Sequence, residues 1–142
     1  MKIAIGSDHA GFQLKKNIIN KFKDKIDFND VGTYSEESVD YPDYAHLAAK
    51  ELISNKVERV ILICGSGNGI QMTANKHNNI RCALCWNEEI THLARQHNDA
   101  NAISLPARFI NENVAEKIVE AFIKTTFEGG RHQKRTKKIN AT

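Results

Sequence analysis

The apolar run Val60-Ile61-Leu62-Ile63-Cys64 stops abruptly at Gly65-Ser66-Gly67-Asn68-Gly69, and no other stretch constrains the chain as much. A near-continuous aliphatic run without polar alternation suits a parallel strand covered on both faces. The glycines mark a turn, and Ile70 to Lys76 then reads as a short helix. The same rhythm extends in both directions. Lys2 to Ser7 reads as a strand and Gly11 to Phe22 as a helix, with Phe12, Ile18, Ile19 and Phe22 at helical spacing. Ile26 to Val31 is a second short strand, Gly32 to Pro42 a connection and Tyr44 to Ser54 a helix, leading into the strand Val57 to Cys64. Beyond the glycines come a strand over Arg81 to Trp86, a helix over Glu88 to His97, a strand over Ala102 to Leu105 and a last helix over Asn111 to Thr126. Strands alternating with helices predict an α/β fold, a parallel five-stranded sheet with helices on both faces. The common doubly wound order 2-1-3-4-5 is expected, with the switch point between strands one and three beyond their carboxyl ends.

With 142 residues the chain is expected to form one domain over 1–142, carrying a basic C-terminal segment over 128–142. That segment holds Arg131, Lys134, Arg135, Lys137 and Lys138 against Glu128, a local +4 that leaves −1 for the remainder of a chain of formal charge +3. Such a cluster binds phosphate groups or is a solvated terminus. No apolar run approaches the roughly 18 residues of a membrane span, so no membrane partner is expected. The N-terminus lacks a secretory apolar stretch, and Cys64, Cys82 and Cys85 are an odd number of cysteines. Free thiols and a cytoplasmic location follow as expectations.

The loop after the third strand gathers backbone N–H groups at the start of a helix, a cradle for negative charge. The same geometry favours a thiolate at Cys64, which then qualifies as a base near neutral pH. The glycine spacing matches neither the Walker loop nor the dinucleotide fingerprint, so no nucleoside triphosphate or dinucleotide cofactor is expected. Asp8-His9, at the end of strand one, brings a carboxylate and an imidazole to the switch point. Cys82-Ala83-Leu84-Cys85 does not read as a metal half-site, because strand alternation turns its sulfurs to opposite faces. No metal is assigned. Arg108 follows the fifth strand and Arg131 and Arg135 follow the last helix, and guanidinium forks suit a phosphate dianion. Arg95-Gln96-His97-Asn98-Asp99 closes the fourth helix, where a histidine is by default a partner of the helix dipole.

These segments together resemble the ribose-5-phosphate isomerase B family, within the wider ribose/galactose isomerase group. The resemblance rests on Gly6-Ser7-Asp8-His9-Ala10-Gly11-Phe12, Asp40-Tyr41-Pro42-Asp43-Tyr44-Ala45, Ile63-Cys64-Gly65-Ser66-Gly67-Asn68-Gly69, Ala74-Asn75-Lys76, Arg95-Gln96-His97-Asn98-Asp99 and Glu128-Gly129-Gly130-Arg131-His132. It implies a Rossmann-like three-layer α/β/α sandwich and an aldose-ketose isomerisation of a sugar phosphate through an enediolate. By the same resemblance Cys64 stands at the proton-abstracting position and His97 assists opening of the cyclic sugar. Gly65, Ser66, Gly67, Asn68 and Gly69 supply donors to the developing oxyanion, while Asp8 and Asn98 meet substrate hydroxyls. His9, Arg108, Arg131 and Arg135 hold the phosphate, with His132 beside them in the substrate set. Arg131 and Arg135 come from a neighbouring subunit, which implies a homodimer, itself able to pair into a dimer of dimers. No cofactor is needed for any step. Ribose 5-phosphate, the pentose phosphate pathway substrate, is the leading expectation. The alternatives are a six-carbon sugar phosphate such as allose 6-phosphate or galactose 6-phosphate, and a non-catalytic phosphate or nucleic-acid binding module. The last has little support, since only Phe127 among the aromatics lies near the basic segment and no stacking platform for bases is visible.

Overall fold

A computed structural model describes residues 1–140. Five parallel strands, β1 (Lys2–Ser7), β2 (Asp27–Asp30), β3 (Arg59–Cys64), β4 (Cys82–Leu84) and β5 (Ala102–Pro106), form one sheet. The helices are α1 (Phe12–Phe22), α2 (Tyr41–Ile53), α3 (Asn68–Ala74), α4 (Glu88–Asn98), α5 (Glu112–Lys124) and α6 (Arg131–Thr136). Strand alternation divides the core in two. Ile3, Ile5, Ile61, Ile63, Ile103 and Leu105 point to the face covered by α1, α4 and α5, where Ile18, Phe22, Ile118 and Phe122 meet them. Ala4, Val60, Leu62, Cys64 and Ala102 point the other way, onto Ala45, Ala48 and Ala49 of α2 and Ile70 and Ala74 of α3. The alanines on both sides of this second interface let α2 lie close against the sheet. The expected three-layer α/β/α sandwich is therefore found, and Cys82 and Cys85 do fall in opposite layers.

The strand order is β2-β1-β3-β5-β4, so the expected 2-1-3-4-5 is corrected at its last two places. β5 is buried along all five residues and pairs with β3 from Val60↔Ala102 to Cys64↔Pro106, whereas β4 has three residues and lies at the edge. The longer apolar strand takes the position flanked on both sides. Handedness is preserved by the choice of face: steps toward the β2 edge use α1 and α4 on one side, and steps toward the β4 edge use α2 and α3 on the other. At the free edge, Asn75 substitutes for a neighbouring strand by donating to the Cys82 carbonyl (2.9 Å) and accepting from its N–H (2.8 Å).

α2 starts three residues earlier than its apolar pattern indicates, because Asp40 is its N-cap and Pro42 occupies the first turn, where a missing N–H costs nothing. α6 falls in the segment expected as a basic tail. Among the described residues no helix is long and apolar enough to cross a membrane.

Candidate active site

Cys64 is the last residue of β3 and is 5% exposed. Its Sγ accepts a hydrogen bond from the Gly67 N–H at 3.2 Å, so a backbone dipole points at the sulfur. Gly67 has φ 76°, and a Cβ on it would stand 2.5 Å from Leu84 Cδ1. Both the backbone conformation and the space demand glycine. Gly69 is fixed differently: a Cβ there would meet the Tyr41 ring at 2.4 Å, so the first residue of α2 lies directly against the loop. The Arg108 guanidinium packs over Gly65, and Arg108 N–H donates to the Gly65 carbonyl at 3.0 Å, which ties the segment after β5 to the segment after β3. The Ser66 hydroxyl accepts from the Asn68 N–H at 3.3 Å.

Asp8 follows β1 and is 7% exposed. One of its carboxylate oxygens accepts the Gly11 N–H at 3.1 Å, which holds the turn into α1. His9 Nδ1 accepts the Val39 N–H at 3.2 Å. In the neutral ring this leaves the proton on Nε2, making that nitrogen a donor. The turn is braced from behind by Lys15, which is 1% exposed and donates to Asp30 at 2.5 Å and to the Thr33 carbonyl at 2.6 Å. Gly32 and Thr33 in turn clasp Ser7 through two backbone hydrogen bonds of 2.8 Å. Asp8, Cys64, Gly65, Ser66, Gly69 and Arg108, with Tyr41 and Phe109, line a recess of about 500 Å³ at the carboxyl ends of β1, β3 and β5. That volume suits a small polar metabolite. Tyr41 and Phe109 were not expected there. Tyr41 lies within the Asp40-Tyr41-Pro42 motif, and only its contact with Gly69 shows what it touches. A larger recess of about 640 Å³, bordered by Asn75, Arg81 and Asn98, contains no nucleophile in an anion cradle and lies at the other end of the strands.

The remaining expected residues are also at that other end. α4 leaves the carboxyl end of β4 and its 11 residues descend about 16 Å before β5 begins. His97 and Asn98 close it and so lie near the amino ends of the strands, roughly the length of β5 away from Cys64. Within one chain His97 and Asn98 therefore do not stand beside Cys64. Arg95 secures this end, its guanidinium bonding the carbonyls of Thr125 (3.0 Å) and Ala100 (2.7 Å) and the Asp99 carboxylate (3.0 Å). The His97 and His132 rings stack, with centroids 4.2 Å apart and planes 12° apart. His132 Nε2 lies 3.4 Å from the Glu128 carboxylate, and Glu128 N–H donates to the Gln96 carbonyl. Desolvation, with the nearby His97 and Arg131, holds His132 below the ordinary histidine value. Arg131 and Arg135 are exposed on the same short helix.

The chemistry of the three thiols differs. Burial pushes Cys82 far above the usual thiol range and Cys85 up to about 11, so both stay protonated at neutral pH. Neither lines the recess that holds Cys64.

A family described as ribose/galactose isomerase matches residues 3–139. Ribose-5-phosphate isomerase B of Escherichia coli (strain K12) is 41% identical over 141 residues, covering 99% of this chain and 95% of the relative. The probable ribose-5-phosphate isomerase B of Mycoplasma genitalium is 45% identical, over 96% of this chain and 92% of its own. Among solved structures, a ribose 5-phosphate isomerase from Thermotoga maritima superposes with TM-score 0.96 at 48% identity, covering 98% of this chain and 97% of that one. The Mycoplasma genitalium enzyme with bound ribulose-5-phosphate superposes at TM-score 0.93 and 44% identity, covering 97% and 93%.

Proposed function

The chain belongs to the ribose/galactose isomerase family and is an isomerase of that family; on that premise we propose that it interconverts D-ribose 5-phosphate and D-ribulose 5-phosphate through an enediolate, with Cys64 as the base. The observation that carries this reading is the Cys64 sulfur held under the Gly67 N–H in a recess walled by Asp8 and Arg108. The Cys64 thiolate takes the proton from the carbon beside the sugar carbonyl and returns it to the carbonyl carbon, while the proton of the adjacent hydroxyl passes to the former carbonyl oxygen. Charge then develops on the carbonyl oxygen, where the Gly65–Gly69 loop supplies fixed backbone donors, one such donor being worth about 2.7–4 kcal/mol in comparable oxyanion sites. Asp8 and Asn98 bind sugar hydroxyls. His9, Arg108, Arg131 and Arg135 hold the phosphate, and that remote binding energy aligns the reacting carbons with the base. His97, with His132 stacked on it, accepts and donates the ring-opening proton.

Cys64 and His97 lie at opposite ends of one sheet, so this division of labour requires two copies of the chain. We infer a homodimer in which the Cys64 recess of one protomer is closed by the α4–α6 end of its partner. In a two-fold dimer each interface is used twice, giving two identical sites. Mixing Cys64→Ala and His97→Asn chains tests this. Each inactive homodimer lacks one group at both sites, but a mixed dimer carries one site with both defects and one intact site. Unfolding and refolding an equal mixture restores about a quarter of wild-type turnover, counting half the dimers as mixed with one working site each. No recovery from a mixture that does form mixed dimers overturns the shared site. Turnover is followed with ribose 5-phosphate beside allose 6-phosphate and galactose 6-phosphate, and a preference for a six-carbon sugar displaces the five-carbon assignment. The same reading places the enzyme in the cytoplasm with its thiols free.

A further inference from the structure

His97, Glu128 and His132 offer one ligand atom each, all within 4.8 Å of one another, the one such group of three among the described residues. Isomerisation uses the two histidines and assigns nothing to Glu128. We propose that these three side chains form a site for a borderline divalent cation of the zinc type, and that occupancy shuts the enzyme off. The inhibitory part rests on the reading of His97 as the ring-opening residue.

Two imidazoles and one carboxylate suit Zn²⁺ rather than Mg²⁺ or Ca²⁺, which favour oxygen donors. Zinc bonds of about 2.0–2.1 Å separate tetrahedral ligand atoms by roughly 3.3 Å. His132 Nε2 and the Glu128 carboxylate already stand 3.4 Å apart. The third ligand requires a small change, since rings stacked within 12° hold their nitrogen lone pairs in nearly parallel planes rather than converging on one point between the rings. Rotation of an imidazole about χ2 meets only a broad, shallow torsional profile, so a tilt of His97 toward the ion is accessible. The ligands come from the end of α4, the turn before α6 and α6 itself, with Gln96 bonded to Glu128 N–H holding the turn in place. Arg131 and Arg135 oppose a dication, but both side chains are exposed and free to swing outward. Ligation occupies the lone pair that His97 needs for proton transfer, and three protein ligands leave a fourth position for water.

The test is equilibrium dialysis of the purified full-length enzyme against ZnCl₂, with turnover measured on the same samples. One zinc per chain and loss of turnover in parallel are expected, reversed by a chelator. Glu128→Gln leaves turnover without zinc near wild type, weakens zinc binding at least about tenfold and raises the half-inhibitory concentration equally, a loss in the range that disturbed metal sites show. Cys64→Ala retains the zinc, and cobalt in its place shows no thiolate charge-transfer band. Zinc affinity unchanged in Glu128→Gln, or lost in Cys64→Ala, overturns the site. Zinc bound in the expected way to a protein that turns over none of the three sugar phosphates upholds the site and counts against the isomerase reading alone.

Discussion

The two ends of the sheet carry the two halves of the proposed site by different physical means. At the carboxyl ends, Cys64 and the glycine loop are fixed by backbone: strand pairing on both sides of β3, a left-handed Gly67 and close contacts that leave no room for a Cβ at Gly67 or Gly69. At the amino ends, His97, His132, Arg131 and Arg135 are held by side chains, through a ring stack and a short helix with exposed cations. The first arrangement suits a base and an oxyanion cradle, which must be placed to a fraction of an ångström before reaction. The second suits phosphate capture, where mobile guanidinium groups reach a ligand already delivered.

The sharpest way to break this contrast is to remove the base. Cys64→Ala should lower turnover by about 10²–10⁴-fold, the usual worth of a positioned general base, with substrate binding little changed. Incorporation of solvent deuterium into the sugar carbon should fall in step. Turnover near wild type would remove Cys64 from the mechanism and leave Asp8 as the one carboxylate among the recess-lining residues. Alkylation sharpens the same point: substrate-protected labelling should map to Cys64, since burial keeps Cys82 and Cys85 as thiols.

The other end should respond in KM. Arg131→Ala and Arg135→Ala each remove a charge-assisted hydrogen bond worth about 1.5–3 kcal/mol, a change of roughly 10–100-fold. If the guanidinium groups only capture phosphate, that loss appears in KM with kcat far less affected. A fall in kcat of the same size would mean that they also position the transition state, and the contrast between a rigid and an adaptable half would lose its meaning.

Backbone rigidity itself is tested by Gly67→Ala. A left-handed conformation costs an L-residue about 1–2 kcal/mol, and the methyl group also collides with Leu84. Overpacking adds about 1–3 kcal/mol where neighbours cannot yield. The variant should lose thermal stability and most of its turnover together, because relieving the collision moves the N–H that faces Cys64. Denaturation midpoints and deuterium exchange at the sugar carbon separate the two effects. Stability lost with turnover intact would show that the loop need not hold Gly67 where it stands.

How much of this was legible in the sequence follows the same division. The β3 run and its glycines announce both a buried strand and a turn that needs glycine at Gly67, so Cys64, Gly65, Gly69, Asp8 and Arg108 line one recess where the strand ends predict, with Gly67 bonded to the sulfur behind it. The order of β4 and β5 was not legible, because pairing partners are chosen by burial across the whole sheet and β4 contributes only three residues. The position of His97 was partly legible: in a parallel sheet a crossover helix must descend to the amino end of the next strand, so its last residues lie away from the carboxyl-end site. α6 carries no apolar pattern over Arg131–Thr136, and its one buried residue, His132, packs on a histidine 35 positions earlier. Tyr41 is visible only through its contact with Gly69.

The smallest expected effect concerns the layer behind the glycine loop. His46 on α2 and His77 after α3 share a hydrogen bond of 2.7 Å between Nδ1 and Nε2, linking the two helices that pack beside Tyr41 and Gly69. Burial first, then the positive charges possible at His46 and present at Lys50, lowers the pKa of His77 from its ordinary 6.5. Between that ordinary value and the lowered one, the unfolded chain holds a proton that the folded chain does not, so stability falls as pH drops through this window and is fully present above it. Melting followed from about pH 8 to about pH 5.5 should therefore show a decline that is shallower in His77→Gln, whose amide keeps a polar partner for His46 without titrating. The link belongs to the backbone-fixed half, so acid should loosen α2 against α3 and lower turnover before it affects phosphate binding. An identical decline in wild type and variant would remove His77 as its cause and leave the loop's rigidity independent of this histidine pair.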